Sequence, residues 1–384
     1  MAEGSMQMAS LSGDLTAKLT DDILADIISR VPYKSTCFCK CVSTRWRDLI
    51  SHPYYRKKMP QSIIGFFYEN YDYVQLHSCF TNVSGQGDPL VDPLLPFLPE
   101  FEMLRTIDCC NGLLLCSFYR QNDPDKLDYV VCNPATEKWV AVPGTDWSRE
   151  AVVRLVFDPA VSSHFHVCEF VEEEHLVNDD DIGPNQCISA VMIYSSKTGV
   201  WSHKDNAWSG YDIEIPPYSK SVLFRGVLYL CAFDHTLVAL DMERTNWKVI
   251  PLPAPECCGN FYYDIYLSQG QLYFAHNVDS ELSIWVLDEP SSENWTLKHN
   301  VSRWQIFGRE YSSYAAGYSV FSIHPEHSLI FIVCPYKETI MSYNMDSRES
   351  RILCQLGRDN KIHWSKTRYL PYVPLYSELL AEGH

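Results

Sequence analysis

The chain has 384 residues, which allows one large domain, or a large domain and a small one. Apolar residues make up 46% and charged residues 21% of it, values that exclude a disordered, collagen-like or coiled-coil protein. No apolar run reaches the roughly 18 residues of a membrane span, so no membrane partner is expected.

Charge is unevenly distributed along the chain. Through residue 60, nine Lys and Arg stand against six Asp and Glu, whereas the remainder carries a net charge of −20. An acidic body repels a phosphate backbone, so nucleic acid is not expected as a partner. The 15 cysteines come without a recognisable export signal, which favours reduced thiols in a cytoplasmic or nuclear protein.

The segment from Leu19 to Tyr55 predicts three short helices. Thr20, Ser35 and Ser43 are their expected N-caps, and Pro32 is expected to end the first helix. A unit of fewer than about 40 residues cannot bury all the apolar side chains that it carries. Part of this surface should therefore face either the rest of the chain or the helices of a partner protein. The apolar stripe of the first helix consists of Ile23, Leu24, Ile27, Ile28 and Val31.

This segment resembles an F-box of the plant type. The matching residues are Leu19, Asp22, Ile23, Ile27, Arg30, Pro32, Lys34, Ser35, Cys41, Val42, Ser43, Trp46, Leu49, Ile50 and Pro53. The resemblance implies docking onto the Skp-type adaptor of a cullin–RING ubiquitin ligase, the SCF complex, and through that adaptor to the cullin and RING subunits. The adaptor-binding residues that it implies are Leu19, Ile23, Leu24, Ile27, Pro32, Ser35, Cys41, Val42, Trp46 and Leu49.

Three residues depart from the F-box pattern. Thr20 stands where proline is usual, Thr36 where leucine is usual, and Arg45 where lysine is common. We expect Thr36 to remove one apolar contact with the adaptor, which allows a weaker or more selective affinity for adaptor paralogues.

Beyond residue 61, short β-branched and aromatic runs alternate with turn residues, a pattern typical of all-β architectures. A strand and a turn leading to a tryptophan recur at spacings of 62, 46 and 48 residues, which indicates propeller blades. Five units are visible, and the strand-like runs at 63–76 and 363–375 predict a sixth blade that closes the ring. The recurring tryptophans, expected in the core, are Trp139, Trp201, Trp247 and Trp295.

This body resembles the F-box-associated, kelch-like domains of plants, through Asn111-Gly112-Leu113-Leu114 and through Cys132-Asn133-Pro134-Ala135-Thr136 with Trp139. The predicted fold class is therefore α+β multidomain: a small three-helix F-box followed by an all-β propeller of six blades. The expected domains are a flexible N-terminus at 1–18, the F-box at 19–58, the propeller at 61–376 and a C-terminal tail at 377–384.

No residue pattern indicates a catalytic, metal or cofactor site. Cys37, Cys39 and Cys41 alternate along a helix and cannot face one ion. The pairs Cys109-Cys110 and Cys257-Cys258 lack zinc spacing, and Asp179-Asp180-Asp181 lacks the spacing of a calcium loop. We therefore expect a non-catalytic subunit without a cofactor.

The resemblance implies a substrate-recognition subunit whose helices bind the adaptor and whose propeller binds a protein substrate for ubiquitination. Trp147, Trp208 and Tyr211 lie outside the repeat and are the weakly predicted substrate-binding residues. Two alternatives stay open. One is a propeller enzyme or carbohydrate-binding propeller with the helices as an anchor, and the other is an F-box protein that does not serve degradation.

Overall fold

The computed structural model divides the chain into two compact units, residues 1–62 and residues 63–384. The residues that the structure describes are 18–56, 62–72, 75–120, 123–149, 151–175, 185–205, 213–233, 235–243, 246–253, 264–278, 281–289, 292–308, 318–334, 339–355, 368–376 and 380. Among the residues with predicted roles, Trp208, Tyr211, Cys257, Cys258 and Asp179 to Asp181 lie outside the described residues.

The first unit is helical. Its helices are α1 (Asp21–Ser29), α2 (Tyr33–Cys39), α3 (Thr44–Ser51) and the single turn α4 (Pro53–Arg56). Ser43 caps α3 as predicted, because its hydroxyl accepts a hydrogen bond from the Trp46 amide at 3.2 Å. The predicted cap at Ser35 is wrong: Ser35 is the third residue of α2, whose N-cap is Pro32. Thr20 occupies the N-cap of α1, but its side chain makes no capping hydrogen bond.

The apolar core of this helical unit is small. Its five buried apolar residues are at most 5% exposed and come from α1 and α3: Leu24, Ala25, Ile28, Leu49 and Ile50. Four of these side chains are large, and burial of each contributes about 1.5–3 kcal/mol. The two helices are therefore held together by one face of each, and the opposite faces are left to solvent or to a partner.

The second unit is built from six antiparallel sheets. Five of them have four consecutive strands each, and α5 (Arg303–Phe307) follows the fourth of these five sheets. The sixth sheet has three strands, β1 (Gly65–Asp72), β2 (Gln75–Asn82) and β23 (Tyr369–Tyr372). The strands of the other five, in chain order, are β3 (Glu102–Cys110), β4 (Leu113–Arg120), β5 (Asp123–Asn133), β6 (Lys138–Val142); β7 (Val152–Val156), β8 (His166–His175), β9 (Asn185–Ser195), β10 (Val200–Asp205); β11 (Ser221–Phe224), β12 (Val227–Ala232), β13 (Thr236–Asp241), β14 (Trp247–Pro251); β15 (Asp264–Ser268), β16 (Gln271–Val278), β17 (Glu281–Leu287), β18 (Trp295–Ser302); and β19 (Ser319–Ile323), β20 (Leu329–Cys334), β21 (Thr339–Asn344), β22 (Ser350–Gln355).

The chain ends close the ring. β23, from the C-terminal part, pairs with β1, with Gly65 opposite Tyr372 and Tyr68 opposite Tyr369. β23 also contacts the first strands of the two neighbouring blades, β19 and β3. Among the other blades, β3 contacts β7, β11 contacts β15, and β15 contacts β19, so these first strands line the inner side of the ring. The prediction of a six-bladed propeller closed by its two terminal segments is confirmed.

The recurring tryptophans lie at blade edges rather than in the core. All four are half-buried and pack against the apolar clusters that fill the blades. The Trp201 indole N–H donates to the Pro143 carbonyl at 2.7 Å, and that of Trp295 donates to the Pro251 carbonyl at 3.0 Å. Each bond joins one blade to the blade before it, so these tryptophans connect neighbouring blades.

The two sequence motifs of the propeller hold the closing segment. Asn111 and Gly112 form the β3–β4 turn with φ angles of 48° and 89°, both in the left-handed region. A side chain at Gly112 would lie 2.6–2.8 Å from Val373 and Leu375, which follow β23. The Asn133 side-chain amide donates to the Leu375 carbonyl at 2.9 Å. Both motifs therefore contribute to ring closure.

Candidate functional site

The outer side of α1 presents two large apolar residues. Ile23 is 50% exposed and Ile27 is 47% exposed. They are one helical turn apart and lie on the same side of the helix, whereas Leu24 and Ile28 point into the core. Isoleucines exposed in this way on a folded unit are typical of a surface that a partner covers.

A second apolar pair continues this pattern at the end of α2. Phe38 is 53% exposed, and Val42, four residues later, is 63% exposed. The turn after the helix fixes Val42, because its amide donates to the Cys39 carbonyl at 3.2 Å. We use the name docking surface for the four residues Ile23, Ile27, Phe38 and Val42.

The structure divides the predicted adaptor-binding residues into three groups. Ile23, Ile27, Pro32, Ser35, Cys41 and Val42 are exposed, and Leu19 and Trp46 are half-buried. Leu24 and Leu49 are only 1% and 5% exposed, because they meet in the core between α1 and α3. Leu24 and Leu49 therefore support the surface from below and offer no side chain to a partner.

Thr36 also lies inside the helical unit. It is 2% exposed, and its hydroxyl donates to the Pro32 carbonyl at 3.3 Å. The expectation that a threonine here removes an apolar contact with a partner is therefore wrong, because the side chain at this position faces inward.

Phe38 is the docking-surface residue that sequence reasoning missed. Thr36 and Cys39 are three residues apart and turn towards the core, and Phe38 falls on the opposite side of the helix. This periodicity was readable in the sequence, but α2 has only seven residues, and Cys37 and Cys39 within it obscured the pattern.

Arg45 fixes the start of α1. Its guanidinium donates to the Leu19 carbonyl at 2.7 Å and to the Asp21 carboxylate at 2.7 Å and 3.0 Å. These bonds connect α3 to the first turn of α1, where an acidic residue also suits the helix dipole. The arginine that departs from the F-box pattern therefore orients the helix that carries Ile23 and Ile27.

In the propeller, a cavity of about 230 Å³ opens among the blades formed by β1, β3 and β7. Its lining includes Ser148 and Arg149, which follow directly after Trp147. Trp147 is 43% exposed. Of the three aromatic residues predicted to bind substrate, Trp147 is the one that the structure describes, and it lies beside a concave site.

Three further residues could in principle hold a metal ion: His324, Glu326 and His327, whose ligand atoms lie within 4.8 Å of one another. However, His324 Nδ1 already accepts the backbone amides of Glu326 at 3.0 Å and His327 at 3.2 Å. This geometry stabilises the turn between β19 and β20, and the trio is better explained as a structural turn.

Two buried thiols of the propeller, those of Cys110 and Cys168, are poor nucleophiles. Burial raises the pKa of Cys110 and of Cys168 to about 12, since a thiolate is unfavourable away from water. Catalytic cysteines need a lowered thiol pKa. The two thiols therefore lack the property that an acyl carrier requires.

The comparisons with known proteins match both units. The F-box domain matches residues 17–58, and the family described as "F-box protein At3g26010-like, beta-propeller" matches residues 62–370. F-box protein At5g07610 of Arabidopsis thaliana is 27% identical over 315 residues, covering 76% of this chain and 72% of that protein.

Two other relatives from Arabidopsis thaliana show the same relationship. F-box protein At3g26010 is 26% identical over 361 residues, covering 88% of this chain and 80% of that protein. A putative F-box/kelch-repeat protein, At1g15680, is 22% identical over 320 residues, and the match covers 75% of this chain and 71% of that protein. Because the propeller family matches most of the chain and the F-box precedes it, the chain belongs to the At3g26010-like family of F-box proteins with a β-propeller.

Proposed function

We propose that this protein is the substrate-recognition subunit of an SCF ubiquitin ligase. Its helical unit docks onto a Skp-type adaptor, and its propeller holds a protein substrate. The observation that carries the proposal is the docking surface, whose four large apolar residues are 47–63% exposed on a unit that matches the F-box.

The docking surface suits an apolar groove between partner helices. Burying an isoleucine, valine or phenylalanine that is half-exposed beforehand contributes about 1 kcal/mol or more, so four such residues supply a substantial part of a stable interface. The core beneath them, with Leu24 and Leu49, keeps the surface rigid and so lowers the entropy cost of binding.

The propeller acts by positioning a substrate. Once a substrate lysine is held near the charged conjugating enzyme, ubiquitin transfer becomes effectively intramolecular, and no residue of this chain has to contact a reacting bond. The chain is accordingly proposed to be non-catalytic and to need no cofactor. We propose Trp147 as a substrate contact, because it is an exposed aromatic residue beside the cavity.

We further propose that the protein works in the cytoplasm or the nucleus, where SCF ligases act. No helix among the described residues is long and apolar enough to cross a membrane.

Affinity purification from native tissue under proteasome inhibition tests the proposal. Three chains are compared: the unmodified one, Val42→Asp on the docking surface, and Val200→Asp, a matched control that is 59% exposed on β10. The adaptor, cullin and RING subunits should co-purify with the unmodified chain and with Val200→Asp, and should be lost with Val42→Asp. Recovery of the adaptor with Val42→Asp at the unmodified level would reject the docking surface.

The same purification tests the substrate side. Trp147→Ala should keep the adaptor and lose proteins that the unmodified chain and Val42→Asp both retain. Full retention of those proteins by Trp147→Ala would remove this residue from the proposed substrate-binding surface.

A further inference from the structure

Five ionisable residues from five different blades converge on the propeller axis. Each lies on an inner strand or directly before one. We name them the axial charge cluster: Asp108 on β3, Arg154 on β7, Lys220 before β11, Asp264 at the start of β15 and Arg368 before β23. Arg154, Lys220 and Arg368 each interact electrostatically with Asp108 and Asp264.

The cations of this cluster are held by neutral groups. Arg154 is 1% exposed, and its terminal nitrogens donate to the carbonyls of Val153 and Ser219, both at 2.7 Å. Arg368 donates to the Ile107 carbonyl at 2.6 Å. Within the part of the chain that the structure describes, Nε of both arginines lacks a hydrogen-bond acceptor.

Lys220 is held even more loosely. Its ammonium group is buried and makes no hydrogen bond to any described residue. It lies 5.4 Å from the ring centre of Tyr266 and 5.8 Å from that of Phe321, which supplies only the weaker attraction of a cation for an aromatic face.

The two carboxylates of the cluster are directed to backbone amides. Asp108 accepts the amides of Cys109 at 2.8 Å and Leu155 at 2.9 Å, and Asp264 accepts the amide of Lys220 at 3.0 Å. Three cations thus face two carboxylates, and no ion pair joins them in the described residues. This cluster carries an excess of positive charge, although the propeller as a whole is strongly acidic.

Burial is the main influence on these groups. Burial first, and the nearby Arg368 in the same direction, lower the pKa of Arg154 to about 9 and that of Lys220 to about 8. Burial also raises the pKa of Asp264. The cations therefore lie where water compensates them poorly and where a bound anion would stabilise them.

Two of the three cations line the cavity of about 230 Å³. Of the other arginines in its lining, Arg105 pairs with Glu69 at 2.9 Å and Arg149 pairs with Asp125 at 3.2 Å. Arg154 and Arg368 form no ion pair with a carboxylate among the described residues, although Glu69 attracts Arg368 from a longer distance. The cavity is smaller than the roughly 300–1,000 Å³ of drug-sized sites, so it suits a small group.

We propose that this cavity is a binding site for a small oxyanion, a phosphoryl or carboxylate group, held by Arg154 and Arg368 with Lys220 behind them. Guanidinium groups match the geometry of such oxygens and form strong charge-assisted hydrogen bonds with them. The group is either a free anion or the side chain of a bound protein, and only the second source rests on the proposed function.

Thermal unfolding of the full chain tests the site without any adaptor. Inorganic phosphate and acetate are each titrated against sodium chloride at equal ionic strength. A specific site predicts a saturable rise in Tm of about 2–5 °C at ten times the Kd for at least one oxyanion, and no rise for chloride. An equal Tm with all three salts would overturn the proposal.

Variants separate the site from a general salt effect. Arg368→Gln should lose the response, and Arg351→Gln, an exposed arginine on β22, should keep it. Lys220→Met removes a buried cation that makes no hydrogen bond to the described part of the chain, so it should raise the Tm without anion and weaken the anion response. If the anion raises the Tm of Lys220→Met as much as that of the unmodified chain, the proposal is contradicted. The comparison of Lys220→Met with the unmodified chain tests the proposal even if Arg368→Gln does not fold.

A final arm identifies the source of the anion. A Gly-phosphoserine-Gly peptide is compared with inorganic phosphate. A larger Tm rise with the peptide assigns the cavity to a modified protein side chain, whereas a larger rise with phosphate assigns it to a free anion.

Discussion

The carboxylate of Glu169, on β8, accepts a hydrogen bond of 2.6 Å from the hydroxyl of Ser148, in the loop that precedes β7. The hydroxyl of Thr145 donates to the same carboxylate, also at 2.6 Å. Glu169 is 0% exposed. This buried carboxylate therefore fixes the loop that carries Trp147 and Arg149 beside the propeller cavity of about 230 Å³.

Replacing Glu169 should loosen this loop. Glu169→Ala leaves two hydroxyl groups without their acceptor, and we expect it to lower the free energy of unfolding by about 2–4 kcal/mol. Glu169→Gln keeps one acceptor oxygen and should cost about 1–2 kcal/mol. Urea unfolding measures both, with the exposed Glu243→Gln as a control that should change stability by less than about 0.5 kcal/mol. A value for Glu169→Ala as small as that of the control would show that the loop is held by other contacts.

Ring closure predicts a difference between two glycines in equivalent turns. Gly112, at the β3–β4 turn, has φ +89° and its added Cβ would lie 2.6 Å from Leu375, whereas Gly226, at the β11–β12 turn, has φ +78° and open space around it. Gly226→Ala should cost about 1–2 kcal/mol from backbone strain alone. Gly112→Ala should cost more, because the closing segment after β23 must shift. Equal changes in the urea midpoint would exclude tight packing of that segment.

The bonds between blades predict a loss of stability when a tryptophan becomes phenylalanine. Trp201→Phe and Trp295→Phe keep the aromatic contact but remove the indole N–H that donates to the preceding blade. Each should lower the free energy of unfolding by about 0.5–1.5 kcal/mol. Trp304→Phe, on α5 and 55% exposed, is the matched control. No difference between Trp201→Phe and this control would show that the hydrogen bond contributes nothing to stability.

Glu172 predicts a pH dependence of stability. Burial, and secondarily the nearby Glu214, raises its pKa from the ordinary 4.5 to about 7. Between these two values the folded chain holds a proton that the unfolded chain has lost, so stability falls as pH rises from about 4.5 to about 7. The glutamine of Glu172→Gln cannot ionise, so this variant should not lose stability between these pH values for this reason.

The measurement for Glu172 is the urea midpoint at pH 5 and at pH 8. The urea midpoint of Glu172→Gln should exceed that of the unmodified chain by more at pH 8 than at pH 5. For the exposed Glu243→Gln, the difference from the unmodified chain should be the same at both pH values. The size of the effect is moderate because Glu172 is only half-buried. An equal advantage at both pH values would place the pKa of Glu172 near its ordinary value.

Sequence periodicity predicted the propeller because its signals are local. Strand alternation, turn glycines such as Gly112 and the recurring tryptophans each depend on a few neighbouring residues. Closure by the two terminal segments followed from the need to cover exposed strand edges. The position of the tryptophans was harder to predict, because Trp201 contacts Pro143 on another blade, and no local pattern records that neighbour.

The candidate sites were less predictable because they depend on packing between distant segments. Leu24 and Leu49 are both among the predicted adaptor-binding residues, yet they face each other across two helices, and the sequence does not reveal which side of each helix is covered. Asp108 and Arg368 are more than 250 residues apart and each is an ordinary charged residue beside a strand. Only the closed ring brings them together at the axis.

The affinity of the purified full chain for a Skp-type adaptor tests the central claim most directly. Isothermal titration compares the unmodified chain with Ile23→Asp and with Ile352→Asp, a control that is 60% exposed on β22. We predict that Ile23→Asp raises the Kd at least about 100-fold, equal to about 2.7 kcal/mol, and that Ile352→Asp leaves it within about twofold. A folded Ile23→Asp chain that binds the adaptor as tightly as the unmodified chain would contradict the account.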